Sequence, residues 1–135
     1  MYLRFLPILV LLFSAKLFAY EFPIEITEYI DDVKVDAYIS KSDIDQELIW
    51  TPFDGAPPLS IAAALQAIQA YAANTDLADM TLTGIELKRI PRHEKQWHYL
   101  VKIKSEIDGI VESHYFIVLM DGKVIPAIKE PDSIK

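Results

Sequence analysis

The stretch from Tyr115 to Met120 constrains the fold more than any other part of the chain. Alternate side chains of an extended strand point to opposite faces. Here both faces are apolar, with Tyr115, Ile117 and Leu119 on one and Phe116, Val118 and Met120 on the other. Such a pattern is typical of a central strand that is covered on both faces. The sheet that contains this strand therefore needs two covering layers.

One of those layers is a helix predicted from Ser60 to Ala73. The segment is rich in alanine, and Ile61, Leu65 and Ile68 recur at helical spacing. The preceding stretch, 51–58, is predicted to be a loop because its prolines and glycine break both periodicities. We expect the helix to lie across one face of the sheet.

Period-two alternation predicts strands on both sides of the helix. From Phe22 to Ile39 it indicates two short strands joined by a turn at Asp31-Asp32, or one long bent strand. After the helix, strands are predicted around Ile85–Leu87, Trp97–Ile103 and Tyr115–Leu119. The fold class is therefore α+β, with one main helix packed on an antiparallel meander and with extra N-terminal strands.

The end of the meander carries two local signals. Asp121-Gly122 favours a hairpin turn because both residue types tolerate positive φ. A last strand is predicted from Val124 to Ile128, and Pro126 inside it favours the edge of a sheet.

The two faces of the sheet are predicted to differ in burial. The helix is expected to cover the face that bears Trp97, Tyr99, Val101, Tyr115, Ile117 and Leu119. The opposite face is covered by residues 20–56, by a partner or by a second copy of the chain. A candidate partner surface is predicted on that face, formed by His98, Leu100, His114, Phe116 and Met120.

The N-terminal residues 1–19 have the layout of a secretory signal peptide. Arg4 precedes the apolar run Phe5–Phe13, and Ala19 offers a small residue at the cleavage site. A membrane anchor is the alternative, but it needs about 20 apolar residues, and Pro7 and Lys16 interrupt a shorter run. We expect cleavage, no stable membrane anchor afterwards, and a periplasmic or secreted protein.

Net charge limits the classes of partner, and the cysteine count limits how the fold can be stabilised. The chain has 13 Lys and Arg against 20 Asp and Glu, for a formal net charge of −7. An acidic protein is repelled by phosphate backbones and by anionic lipid surfaces, so nucleic acid is not an expected partner. There is no cysteine, so no disulfide stabilises the fold even though an oxidising compartment would allow one.

From Pro58 to Lys129 the chain resembles a PepSY domain. The similar features are Pro58-Leu59-Ser60 before an alanine-rich helix, the strands Ile85-Glu86-Leu87 and Trp97–Val101, and the closing segment from Tyr115 through Asp121-Gly122-Lys123. The resemblance implies a module of residues 57–135, preceded by N-terminal strands and a loop in residues 20–56. It implies a non-catalytic domain that binds or restrains a protein partner, sometimes a protease, and it transfers no functional residues.

The histidines do not form a recognisable catalytic or metal-binding motif. His93 and His98 are five residues apart after Pro91, whereas the zinc-protease motif needs histidines four apart on a helix. His98 and His114 lie on neighbouring strands, where two histidines can hold a metal or sense pH. The preferred interpretation is two half-exposed sheet histidines.

Other catalytic and metal-binding patterns are incomplete. Asp43, Asp45 and Glu47 lack the glycine and the distal glutamate of a calcium loop. Ser113 beside His114 alternates onto the opposite face, so a serine nucleophile is not supported. No catalytic residue, metal site or cofactor is predicted.

The sequence thus predicts an exported, non-catalytic binding or inhibitory module that recognises a protein partner in the cell envelope. The alternative is a small-ligand carrier or envelope-stress protein that uses a groove between helix and sheet, and a hydrolase comes third. A homodimer also stays open.

Export has a direct test. We expect mass spectrometry of the protein from its native envelope to find an N-terminus at Tyr20 or close to it, because a signal peptidase cleaves after small residues such as Ala19. Full-length protein recovered from the membrane would contradict this expectation.

Overall fold

The structure, a computed structural model, describes residues 22–44, 47–77 and 79–130. The predicted signal segment and the last five residues lie outside this range. The described elements are β1 (Ile24–Ile30), β2 (Val33–Ile39), a 3₁₀ turn (Lys41–Asp43), α1 (Ile61–Ala72), β3 (Thr81–Ile90), β4 (His93–Ile107), β5 (Ile110–Leu119), β6 (Val124–Pro126) and β7 (Ile128–Lys129). None of the helices in these ranges is long and apolar enough to cross a membrane.

The elements form three layers. A three-stranded antiparallel sheet has the order β1-β2-β7, and a four-stranded antiparallel sheet has the order β3-β4-β5-β6. The small sheet packs on one face of the large sheet and α1 packs on the other. The predicted α+β class, with one helix on an antiparallel meander and an extra N-terminal strand pair, is confirmed.

Two apolar clusters hold the three layers together. The cluster between the sheets joins N-terminal residues such as Ile26 and Ile39 to Leu100 and Ile117. The cluster under the helix joins Ala64 and Ile68 to residues that include Tyr99, Val101, Phe116 and Val118. The N-terminal hairpin therefore covers the second face of the large sheet, which is one of the alternatives that the sequence leaves open.

Hairpin turns connect the strands in both sheets. Asp31 and Asp32 both have positive φ, as a type I′ two-residue turn requires, so the predicted turn between two short strands is confirmed. Gly122 at the predicted Asp121-Gly122 turn also has positive φ. A further two-residue turn, Asp108-Gly109, joins β4 and β5 with positive φ at both positions. No turn was predicted at Asp108-Gly109 from the sequence.

The register of β4 and β5 corrects one prediction. Because the turn pairs Ile107 with Ile110, each odd-numbered residue of β4 lies opposite an even-numbered residue of β5, as Val101 lies opposite Phe116. Directly opposite residues share a face. The helix therefore covers Tyr99 and Val101 as expected, but with Phe116, Val118 and Met120 in place of Tyr115, Ile117 and Leu119.

Helix α1 begins and ends close to the predicted bounds. The Ser60 hydroxyl accepts a hydrogen bond from the backbone N–H of Ala63, so it satisfies one of the unpaired donors of the first turn.

The single strand predicted from Val124 to Ile128 is instead two short strands. β6 lies at the edge of the large sheet, as Pro126 suggested, and β7 crosses to pair with β2.

Two ion pairs join the N-terminal hairpin to the large sheet. Lys88 on β3 lies 2.6 Å from Glu28 on β1, and Lys102 on β4 donates to Asp31 in the β1–β2 turn. The Lys102 partner lowers the pKa of the Asp31 carboxyl. Both pairs lie at the periphery, so the apolar cluster between the sheets contributes most of the stability of this interface.

The double burial of β5 has a stability consequence. Ile117 is 1% exposed and packs between the sheets, whereas Ile110 on the same strand is 65% exposed. We expect Ile117→Ala to lower the free energy of unfolding by about 2–5 kcal/mol, because it removes buried methyl groups and leaves a cavity. Urea denaturation followed by circular dichroism measures the loss.

Ile110→Ala is the matched control and should change the free energy of unfolding by less than about 0.5 kcal/mol. Equal losses in the two variants would mean that the second face of β5 is not covered.

Candidate functional site

The five residues predicted as a partner surface do not form one. His98 and Leu100 point toward the small sheet, whereas His114, Phe116 and Met120 point toward the helix, because of the β4–β5 register. All except His114 are buried. The expectation that they share one less buried face is therefore wrong, because the β4–β5 register divides them between two faces and because the N-terminal hairpin and α1 cover those faces.

His98 is a buried polar group between the two sheets. It is 1% exposed, and its Nδ1 has no hydrogen-bond partner. Burial lowers the pKa of His98 to about 4; the Tyr99 backbone and the Glu28 carboxylate oppose this shift, and Lys88 adds to it. Because the imidazole is neutral at pH 7, it fits an apolar interface. The interpretation of His98 as half-exposed is wrong.

His114 lies on the other face and is half-buried, as predicted. Its Nε2 lies 2.7 Å from the hydroxyl of Ser105, and burial lowers its pKa. A serine beside a histidine invites comparison with a nucleophile and its base. Ser105 is buried, however, and a nucleophile must reach its substrate, so the pair is better explained as a satisfied hydrogen bond.

Structural observations account for His93 and Asp43 in the remaining motifs, whereas Asp45 lies outside the described residues. His93 begins β4 directly after the Pro91-Arg92 turn, so the segment from His93 to His98 is a strand and not the helix that the zinc-protease motif needs. Asp43 accepts from Lys123 at 2.5 Å and from the Ser40 hydroxyl at 2.9 Å; these hydrogen bonds lower its pKa. Across residues 22–44, 47–77 and 79–130, no group of three or more metal-ligating side chains comes together.

An apolar cleft lies between α1 and β3, and we call it the α1–β3 cleft. Its main part has a volume of about 660 Å³. This part is lined by Ala56, Pro57, Ser60, Ile61, Ala62, Ile85, Leu87 and Tyr99. A shallower hollow of about 280 Å³ continues between the C-terminal half of α1 and the first residues of β3. That hollow is lined by Leu65, Gln66, Ile68, Gln69, Met80, Leu82 and Ile103.

The position of the helix creates this cleft. α1 packs mainly on β5 and β6, so the helix-facing side chains of β3 are only partly covered. Ile61 at the start of α1 is 53% exposed, and Leu82 on β3 is 45% exposed. Apolar side chains left open on two facing elements are a feature of binding grooves.

The loop before α1 forms one wall of the cleft and is held by aromatic side chains. Trp50 and Trp97 pack edge to face with their centroids 5.1 Å apart. The Trp97 indole N–H donates to the Trp50 carbonyl at 3.0 Å, and the Trp50 indole N–H donates to the Gly55 carbonyl at 3.2 Å. The Tyr99 hydroxyl donates to the Leu59 carbonyl at 2.6 Å. These contacts fix the wall in place before any ligand binds.

Phe53 stands out in the same loop. It is fully exposed and has a φ of 75°, a backbone conformation that is costly for a bulky residue. An exposed aromatic in a strained loop contributes nothing to the core, and it lies three residues before Ala56 in the cleft wall. We therefore include Phe53 in the candidate site.

The sequence predicts several parts of this site but does not show that they form one cleft. It identified α1, the 51–58 loop and the strand around Ile85 and Leu87, and it named a helix–sheet groove as an alternative site. It did not find that β3 stays half uncovered, since the lateral position of a helix on a sheet depends on packing and not on periodicity.

Comparisons with known proteins do not assign the chain to a family. No family model, no curated protein and no solved structure matches the chain. The resemblance to PepSY domains therefore stays a prediction.

The buried His98 makes stability depend on pH. Its folded-state pKa of about 4 lies below the ordinary value of 6.5, so the unfolded chain binds a proton that the folded protein rejects. The folded state should lose about 2–3 kcal/mol between pH 7 and 4.5, with little loss from this group above pH 7. Urea denaturation at pH 7 and 4.5 measures this loss.

His98→Gln should remove that part of the pH dependence, whereas the control His93→Gln should retain it because it keeps His98. The same acid loss in His98→Gln as in the unchanged protein would show that His98 is not its source.

Proposed function

We propose that the protein is an exported, non-catalytic binding module that recognises a protein partner at the α1–β3 cleft. The observation that carries this proposal is the open apolar volume of about 660 Å³ between α1 and β3. The proposal replaces the partner surface predicted on β4 and β5, whose residues are mostly buried.

Three further features support protein recognition. The two parts of the cleft are open to solvent and not enclosed, so a partner larger than a small molecule can enter. Phe53 projects from the adjoining loop, and exposed aromatics are frequent contact residues in protein interfaces. The resemblance to PepSY domains implies the same class of function, including restraint of a protease.

A small-ligand carrier is the second candidate. The volume of the main part falls within the range of about 300–1,000 Å³ that is usual for small-molecule sites. Its lining is almost entirely apolar, so the ligand would be an apolar compound. Native mass spectrometry of the protein purified from its source should then detect a retained small molecule.

Site-specific cross-linking tests the binding site. We expect benzoylphenylalanine placed at Phe53 or Ala62 to form a protein adduct in the native envelope after irradiation. Both positions are exposed, and Ala62 lines the cleft. The adduct should be lost when Leu82→Glu is added, since a carboxylate in an apolar site opposes binding.

Two controls make the result specific. Benzoylphenylalanine at Tyr29, an exposed aromatic on the small sheet, should give no adduct. Ile110→Glu places the same charge on an exposed isoleucine of the large sheet outside the cleft, and it should leave the adduct unchanged. Adducts at Tyr29 alone would move the binding site to the small sheet and overturn the proposal.

A further inference from the structure

The outer edge of β3 adjoins the cleft. β3 pairs with β4 on one side, and no strand lies on its other side within the described ranges. Alternate residues of such an edge present backbone N–H and C=O groups that a further strand can pair with. The pairing with β4 is regular from Gly84 to Arg89, between two register shifts. This stretch is the usable length of the edge.

Side chains on this edge strand alternate between the two sides of the large sheet. Ile85 and Leu87 point toward α1 and line the cleft, whereas Glu86 and Lys88 point toward the N-terminal hairpin. A strand added to the edge would lie about 4.8 Å from β3. Its own alternate side chains would then stand beside Ile85 and Leu87, on the side that faces α1.

The chemistry of the cleft specifies which side chains fit. From Ile61 to Ala72 the helix has no charged residue. The polar side chains in the lining are Ser60, Gln66, Gln69 and the Tyr99 hydroxyl, which is already bonded to Leu59. A buried charge without a partner is costly, so the side chains that enter should be apolar. Those on the other side meet Glu86 and Lys88 and should be polar.

We propose that the α1–β3 cleft binds an extended peptide segment of the partner, which adds to β3 as a further strand and directs alternate apolar side chains into the open side of the cleft beside Ile85 and Leu87. The inference rests on the proposed function and specifies its ligand. Strand addition pairs the backbone groups of the β3 edge and fills the cleft at the same time. A small apolar molecule or a docked helix would fill the cleft and leave those backbone groups without a strand partner.

The test begins with a phage-displayed library of random peptides as long as β3, selected on the purified mature protein. We expect the selected sequences to alternate apolar and polar residues. The tightest peptide, made synthetically, should bind Leu82→Glu and Ile61→Glu at least about tenfold more weakly. It should bind Ile110→Glu like the unchanged protein, because this control lies outside the cleft.

Backbone pairing is then tested in two ways. Two forms of the peptide carry N-methyl groups on alternate amides, one set on the odd and one on the even positions. One form should lose at least about tenfold in affinity and the other should lose little, because only alternate amides face β3. Bound peptide should also slow amide hydrogen exchange at alternate residues from Gly84 to Arg89.

Other outcomes overturn the inference. The selected peptides could have apolar residues at helical spacing, or the selection could yield no peptide at all. Both N-methyl sets could weaken binding equally, or Leu82→Glu could leave the affinity unchanged. Each of these results would contradict strand addition. Sedimentation that shows a dimer dissociated by Leu82→Glu would assign the cleft to a second copy of the chain. If cross-links form at Ala62 but the peptides show no strand signature, the proposed function stands and strand addition does not. If the peptides show the strand signature but no adduct forms in the envelope, the cleft binds extended peptides and the proposed function fails.

Discussion

The burial of β5 on both faces is the constraint on which the rest of the structure depends. A sheet with one apolar face is satisfied by a helix, but β5 carries large side chains on each face. The helix buries Phe116 and Val118, and the N-terminal hairpin buries Ile117 and Leu119. The chain therefore uses both of its flanking segments to complete one core. From Tyr115 to Leu119 neither face of β5 is left for a partner, whereas Ile110 and Val111 near the β4–β5 turn are exposed. The partner proposed above would therefore have to bind away from the covered part of the sheet.

The periphery is open where the helix does not reach. A single helix of this length covers part of a four-stranded sheet, and α1 lies over β5 and β6. β3 is then the strand with the least cover on the helix side, and it is also an edge strand. Incomplete cover, which results from the position of α1, and an open backbone edge, which results from the strand order, thus coincide on β3. The loop before α1 is joined to β4 beside this strand by the contact and the hydrogen bond between Trp50 and Trp97.

Much of the fold follows from the sequence, and the errors have identifiable physical causes. The helix, the Asp31-Asp32 turn and the covered β5 were all read from spacing and turn residues. The face assignment failed because Asp108-Gly109 was overlooked, and a turn of this length sets which residues lie opposite each other. With that turn, the odd residues of β4 pair with the even residues of β5. His98 would then have been recognised as buried. The cleft itself was beyond prediction, because the lateral position of α1 results from how side chains of distant segments fit together.

The crossing of the chain from β6 to β7 has a consequence for folding. β2, near the beginning of the described chain, completes its sheet with β7, near the end. Contacts between residues so far apart in sequence form only after the intervening chain is present. The small sheet is therefore completed only after β7 has been synthesised, although the β1–β2 hairpin itself pairs locally. For a chain exported as proposed, late completion of the sheet favours transport, because a polypeptide has to stay unfolded while it passes through a narrow translocation channel. The connectivity of the small sheet thus determines when the fold can be completed.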